Sequence, residues 1–513
     1  MKIYVISLLL QFLSAYHIAI SLNFGSISHV LPYFEILHPM VEKGHTVTYL
    51  STNYGLPFAK NFPNITKKLV DYPDEPLMME KMKVNFPKLM NSTGFSLGTL
   101  GMLGNMLADS YLDFYNSIKK FDQEQHIDLL VCNMFNLGCV DYGHTNNKRL
   151  VILGPLGFMG IGQTYYVPSA VTPMSQQELL SSFYARNFGF LKTIPEALPA
   201  LPSIYNLYKD FTNIKKSAGI NSPFLTSVAK QHLYLAHSVF GLVKARELPP
   251  NIIPVGPILP PTIEPLGDEM KAILDNFEQN GTSVVYIAFG SAADISGSIA
   301  ERIYETAKQL LNENEKLAVI WALVRTHQQF TAPPGLEDRF IFKHWVNQRA
   351  LLQHSAVKLF LTHGGVSSVH EGMYAGLPMI VTGIFADQFA NARSVEEANL
   401  GYTNDKFKFT PEELKTKVTK LMGEASNPDS LIYQSVAKMK VVSKLNSETH
   451  VVTLTNLFEM AATVGYDHLV PVTAKMTWWE LNRQYYSFLA TIFLASYPII
   501  RFIARSVKKT NKH

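Results

Sequence analysis

The stretch PPNIIPVGPILPPTIEPLG, residues 249–267, divides the chain. Proline locks φ and removes the backbone donor, so a run this rich in it forms neither a helix nor a central strand and reads as a stiff linker. On both sides the same pattern runs. Before the linker come HIAISLNF, VLPYFEILHPMVEKG, HTVTYLS, long helical stretches to about residue 124, IDLLVCN, a short helix and RLVILGP. After it come SVVYIAFGS, a helix from about Ser296 to Leu311, LAVIWALV, FIFKHW, VKLFLTH, a helix, LPMIVTG and further helices to about Ala462. Apolar runs alternating with helices imply parallel strands covered on both faces. The expected class is therefore α/β, with two doubly wound halves, and 513 residues are enough for two separate cores. Residues 156–246 give no clear elements; their scattered Pro, Tyr and Phe suit the wall of an apolar cavity.

Charge narrows the partners. The net charge is +4, but Arg501, Arg505, Lys508, Lys509 and Lys512 stand without an acid in the last thirteen residues, which leaves the body at −1. Without a basic field or interleaved arginines and aromatics, nucleic-acid binding has no support. The two cysteines, Cys132 and Cys139, give no disulfide framework or metal-ligand spacing and read as free core thiols. Lys2, the apolar run IYVISLLLQFL and the small residues Ser14 and Ala15 have the layout of a signal peptide. Near the other end, YYSFLATIFLASYPII offers 16 residues without a charge, extended past Arg501 by snorkelling, and reads as a membrane span with a cytoplasmic basic tail. The body then lies in a lumen, where sequons at Asn64, Asn91 and Asn280 would be usable.

The chemistry centres on FLTHGGVSSVHEG, residues 360–372. VKLFLT reads as a buried parallel strand and SSVHEGMYAG as a helix starting at its carboxyl end, where ligands of such sheets bind. A helix start presents unpaired N–H groups, and glycines let an anion approach the backbone, so Gly364 and Gly365 suggest a phosphate seat. Ser367 and Ser368 either cap the helix or bond phosphate oxygens, and His363 donates.

Together with HWVNQRALLQHS upstream and AGLPMIVTGIFADQFANA downstream, this motif closely resembles the sugar-nucleotide signature of the UDP-glycosyltransferases, family 1 of the inverting glycosyltransferases. The resemblance extends over most of the chain and implies a GT-B fold of two Rossmann-like domains facing a cleft. Its boundaries would be a signal peptide over 1–16, an acceptor-binding domain over 17–248, the linker over 249–268 and a UDP-sugar domain over 269–463. An interfacial helix over 464–484, a transmembrane helix over 485–504 and a basic tail over 505–513 would follow, placing the protein in the endoplasmic reticulum or another secretory-pathway membrane. The resemblance also implies that Trp345 stacks on uracil, Gln348 meets the ribose, and Ser291, His363, Gly365, Ser367 and Ser368 meet the diphosphate. Glu371 would accept from the ribose hydroxyls, and Asp387 with Gln388 would bind the donated sugar. Glu371 lies about 12 Å of helical rise from His363, so one helix can face phosphate at its start and a hydroxylated ring further along. Asn347, Ser367 and Thr382 depart from the family pattern, which has Pro, Asn in plant members, and Pro at these positions.

His29 of LNFGSISHVLPYF lies in the turn after the first strand, just ahead of a helix with Pro32 in its first turn, and matches the family's catalytic base. It would take a proton from an acceptor hydroxyl as that oxygen attacks the anomeric carbon opposite UDP. Inversion then needs no covalent intermediate, obligatory metal or cofactor beyond the co-substrate. The Asp that orients this base in the family is replaced by Asn133, which can hold the ring but cannot neutralise an imidazolium. Asp141 is too far along the chain to substitute. The expected function is hexosyl transfer, of glucose or glucuronic acid, from a UDP-sugar to a hydroxyl or carboxyl of a lipophilic small molecule. The competing reading is a catalytically weak UDP-sugar-binding protein acting through partners. A nicotinamide oxidoreductase is disfavoured, because GPLGFMGIGQTY has no third glycine in the fingerprint position. Arg325 and Arg393 are candidates for reading a sugar carboxylate; the acceptor and the oligomeric state stay open.

Overall fold

The computed structural model describes residues 15–23, 27–90, 104–105, 107–155, 176–188, 191, 194–259, 263–290, 295, 297–323 and 330–510. Residues 1–14 of the expected signal segment, Asn91, Ser291 and Arg325 lie outside these residues.

Two parallel sheets form the molecule. The first contains β1 (His17–Ser21), β2 (Thr46–Ser51), β3 (Thr66–Leu69), β4 (Leu129–Asn133), β5 (Leu150–Gly154), β6 (Leu233–Ala236) and β7 (Ile252–Pro254), in the order β3-β2-β1-β4-β5-β6-β7. The second contains β8 (Ser283–Ala288), β9 (Leu317–Ala322), β10 (Phe340–Lys343), β11 (Val357–Thr362), β12 (Met379–Val381) and β13 (Gly401–Thr403), in the order β10-β9-β8-β11-β12-β13. Strand residues alternate between the faces, as a two-residue period requires. Ile18, Ile20, Leu129, Val131, Val151 and Leu153 enter one core, while Ala19, Leu130, Cys132 and Ile152 enter another on the opposite face. With both faces buried, the strands read as continuous apolar runs, which is why they were visible in the sequence.

Several helices bear on the site. α1 (Ile27–Glu42) follows β1 and buries Val30, Phe34, Leu37 and Met40. α2 (Glu75–Met90) reaches the second half, where Met90 packs against that half's core. α3 (Leu137–Thr145) follows β4; α4 (Gln348–Leu352) and α5 (Val366–Ala375) flank β11; α6 (Gln388–Glu397) follows β12. α7 (Leu431–Thr463) joins the halves: Ile432, Val436 and Met439 enter the second core, whereas Leu454, Phe458, Ala461 and Ala462 enter the first. Glu459 then pairs with Lys43 at 2.8 Å and His45 at 3.3 Å.

Within the linker, Ile252–Pro254 forms β7, at the sheet edge, where a proline without its N–H is tolerated and which the exclusion of a helix or central strand leaves open. Three expectations need correction. Cys132 and Cys139 are not free thiols but a disulfide, because α3 turns back over the end of β4 and brings their Cα atoms to 5.8 Å. Residues 464–484 hold two short 3-10 turns, the helix Trp478–Leu481 and the first two residues of a longer helix instead of one interfacial helix. Finally, the stretch 485–504 lies within α8 (Arg483–Thr510), but among the described residues no helix is long and apolar enough to cross a membrane. Ser487, Thr491, Ser496, Tyr497 and Pro498 dilute its apolar run.

Candidate functional site

In each sheet the crossovers reverse direction between two central strands, β1 and β4 in the first and β8 and β11 in the second, which opens a crevice at the carboxyl ends. In the second half this crevice is bounded by Gly290, after β8, and by His363-Gly364-Gly365, after β11. Gly364 has φ +84°, and a Cβ there would lie 2.5 Å from Val381 Cγ1 and 3.1 Å from the Gln388 carbonyl. Gly290 and Gly365 make room for the imidazole, since a Cβ on either would come within 2.8 or 2.5 Å of the His363 ring. Gly365 caps α5 without a side-chain hydrogen bond, so its first-turn N–H groups have no side-chain acceptor from the cap residue. His363 keeps part of its surface accessible, yet the protein packed around it lowers its pKa to about 4. Near neutral pH the ring is uncharged, with one donor and one acceptor nitrogen.

The side chains expected at the nucleoside form one network. The Gln348 amide nitrogen donates to Glu371 at 2.7 Å and to the Ser368 hydroxyl at 3.3 Å, while its carbonyl accepts from Tyr286 at 3.3 Å. Arg349 Nε donates to the other Glu371 oxygen at 2.9 Å. Trp345, on the loop between β10 and α4, is 62% exposed. Asn347 stands where the family has Pro; its Oδ1 accepts from Ala350 N–H to cap α4, and its Nδ2 holds the Glu264 carbonyl at 2.7 Å. Thr382, another of the three departures, is buried and accepts from Asn404.

The loop expected at the sugar is held from both ends. Gln388 is buried, and its Oε1 accepts from the Ile384 and Phe385 N–H groups at 3.0 and 3.1 Å, so this oxygen organises the loop instead of facing the crevice. Asp387 occupies the N-cap position of α6 without capping it and accepts from Asn391 Nδ2 at 2.9 Å. The same nitrogen donates to the Gly364 carbonyl at 2.8 Å and so ties the sugar loop to the glycine turn. Sequence reasoning missed Asn391, although its position four residues after Asp387 puts it on the same helical face. Ser367 is half-buried at the start of α5, and Arg393 is exposed on α6.

In the first half, His29 falls within the first turn of α1, two residues after the helix begins, not ahead of it. Its side chain lies outside the described ones. Asn133 ends β4, buried, with Nδ2 donating to the Tyr33 hydroxyl at 3.3 Å and Oδ1 accepting from Phe135 N–H at 2.9 Å. Tyr33 lies one helical turn beyond His29, and burial raises its pKa to about 12. Asp141 is committed elsewhere, bonded to Tyr111 at 2.6 Å, Ser222 at 2.5 Å and Lys215 at 2.6 Å. Among the described residues one group has the composition of a metal site, Asp275, Glu278 and His354. His354 Nε2 bonds Asp275 at 3.1 Å, and Asp275 also pairs with Lys271 at 2.5 Å.

Two doubly wound sheets, each with a crevice at the carboxyl ends of its strands and the second with a glycine turn there, have the architecture of the GT-B fold. The family model described as UDP-glucoronosyl and UDP-glucosyl transferase matches residues 203–507, and the chain belongs to that family. UDP-glycosyltransferase stmC of Aspergillus ustus is 26% identical, over 65% of this chain and 65% of its own length. UDP-glucuronosyltransferase 1A1 of Mus musculus is 22% identical, over 89% of this chain and 84% of its own. Solved structures agree in fold. The glycotransferase of kitacinnamycin has a TM-score of 0.61 at 16% identity, covering 87% of this chain and 98% of its own. A Polygonum tinctorium UDP-glucosyltransferase capable of glucosylating indoxyl has a TM-score of 0.59 at 17% identity, covering 88% and 98%.

Proposed function

We propose that the protein transfers a hexosyl group, glucose or glucuronic acid, from a UDP-sugar to a hydroxyl or carboxyl of a lipophilic small molecule, with inversion. The observation that carries this reading is the join between the glycine turn and its neighbours: Gln348, Ser368 and Glu371 meet in one network, and Asn391 links Gly364 to Asp387. A diphosphate at the start of α5 would accept from its N–H groups and from neutral His363, with ribose hydroxyls donating to Glu371 and uracil lying on Trp345. Asp387 would accept from hydroxyls of the sugar. His29, at the start of α1, would remove the acceptor proton as the new C–O bond forms and the bond to UDP breaks; no metal or further cofactor enters this scheme. Lumenal placement in the secretory pathway is supported by the Cys132–Cys139 disulfide and by exposed Asn64 and Asn280.

A specific observation favours a second reading, a sugar-nucleotide binder with weak turnover. Asn133 brings no charge to the start of α1, and both ends of its amide are engaged by Tyr33 and Phe135. Incubation with UDP-glucose and UDP-glucuronic acid against a phenol panel, with glycosides read by mass spectrometry, separates the two. Glycoside formation supports the enzyme, UDP-sugar binding without glycoside or UDP release supports the binder, and no affinity for UDP would overturn both.

A further inference from the structure

Arg349 meets carboxylates from both halves. Its Nε donates to Glu371 on α5 at 2.9 Å, and its Nη1 lies 3.6 Å from Glu35 on α1. The side chains are largely covered, with Arg349 and Glu35 at 17% and Glu371 at 11% exposure. One guanidinium thus serves two carboxylates, one from each half of the molecule. A covered carboxylate is costly without a partner, and a guanidinium fork can satisfy two at once where an ammonium provides only a point charge. Burial raises the pKa of Glu35, and Arg349 is the foremost group opposing that rise. Glu35 lies on the same helix as His29, about 9 Å of rise further along.

We propose that Arg349 is a positioning residue for both halves of the reaction site. It holds Glu371 with its oxygens toward the nucleoside seat and, through Glu35, tethers the helix that begins beside His29. This rests on the donor-site reading for the role of Glu371, but the tether itself is a statement about two ion pairs. Contact between a ribose and Glu371 then changes the load on Arg349, and the change reaches α1 in the other half. Coupling of this kind is reciprocal, so fixing α1 also favours the nucleotide.

Hydrogen exchange of the full chain, read by mass spectrometry with and without UDP, tests the tether in wild type, E35Q, R349Q and R349K, with UDP affinity measured alongside by calorimetry. Without nucleotide, E35Q and R349Q should speed exchange over 27–42 by about threefold or more, and R349K, which keeps the charge, by less. With UDP, wild type should gain protection over both 366–375 and 27–42. E35Q should keep the first and lose the second, with its Kd within about threefold of wild type, whereas R349Q should weaken UDP about tenfold. Unchanged exchange over 27–42 in E35Q and R349Q would overturn the tether whatever UDP does. If wild type binds no UDP, the donor reading fails, and the nucleotide-free rates still decide the tether. Should R349Q not fold, E35Q and R349K carry the same comparison.

Discussion

At the scale of single residues, the departure with most chemical weight is Asn133. Its Oδ1 already accepts from Phe135 N–H and its nitrogen faces the Tyr33 hydroxyl. An aspartate there would keep the first bond, and Tyr33 would turn from acceptor to donor. N133D is therefore expected to fold normally and, by adding a carboxylate to hold and neutralise a charged His29, to raise turnover on aliphatic alcohols about tenfold or more. Equal or lower rates on those acceptors would remove Asn133 from the catalytic account. Buried histidines set a second expectation. Burial lowers His363 to about 4 and, with a neighbouring His144, His232 to about 3. In the unfolded chain both bind protons near the ordinary histidine value of about 6.5. Between these values the unfolded state holds more protons, so the contribution to stability is complete above about pH 6.5 and is lost as pH falls toward 4. Each such group costs up to about 1.4 kcal/mol per pH unit in that window. Thermal melts from pH 7 to 4.5 should show a falling Tm, less steep in H232N; a flat wild-type profile would contradict the assignment.

At the scale of elements, the disulfide joins the penultimate residue of β4 to the first turn of α3, next to Asn133. Cross-linking residues seven apart restricts the unfolded chain modestly, by about 2 kcal/mol on the loop-entropy model. The double variant C132S/C139S should lose about that much in denaturant titration. Turnover should fall more than UDP affinity, because the end of β4 loosens while the second sheet is untouched. A UDP affinity that fell together with turnover would place the effect elsewhere. The strands and most helices were legible because both sheet faces are buried and leave unbroken apolar runs. The pairing of the cysteines was not, since a spacing of seven says nothing until the turn of α3 over β4 brings them together.

For the whole molecule, Lys406 resembles Arg349 in spanning the halves. It is 2% exposed, donates to the Met90 carbonyl at 2.5 Å and to that of Ile384, and lies over the Phe407 and Phe389 rings. Burial lowers its pKa to about 8, so it is still mostly protonated near neutrality. K406M would leave two carbonyls unpaired, each costing about 1–3 kcal/mol, and would free the loop that carries Asp387. KM for the UDP-sugar should rise about fivefold while UDP affinity stays within about twofold, a split that marks loss of contacts to the sugar alone. Equal losses for UDP and UDP-sugar would show that Lys406 supports the whole half and not the loop.

The amino-acid sequence alone determined the doubly wound pattern, the place of the division and the glycine turn with its candidate ligands. These are local properties: periodicity, proline content and the conformational freedom of glycine act over a few neighbouring residues. Only the tertiary structure decided that the linker supplies an edge strand, that α7 belongs to both cores and that Gln388 turns its oxygen into its own loop. It alone paired Glu35 with Arg349 and Met90 with Lys406, across 314 and 316 residues of chain. A charge finds such a partner by the burial that folding imposes on both, and nothing in the spacing of residues encodes that distance.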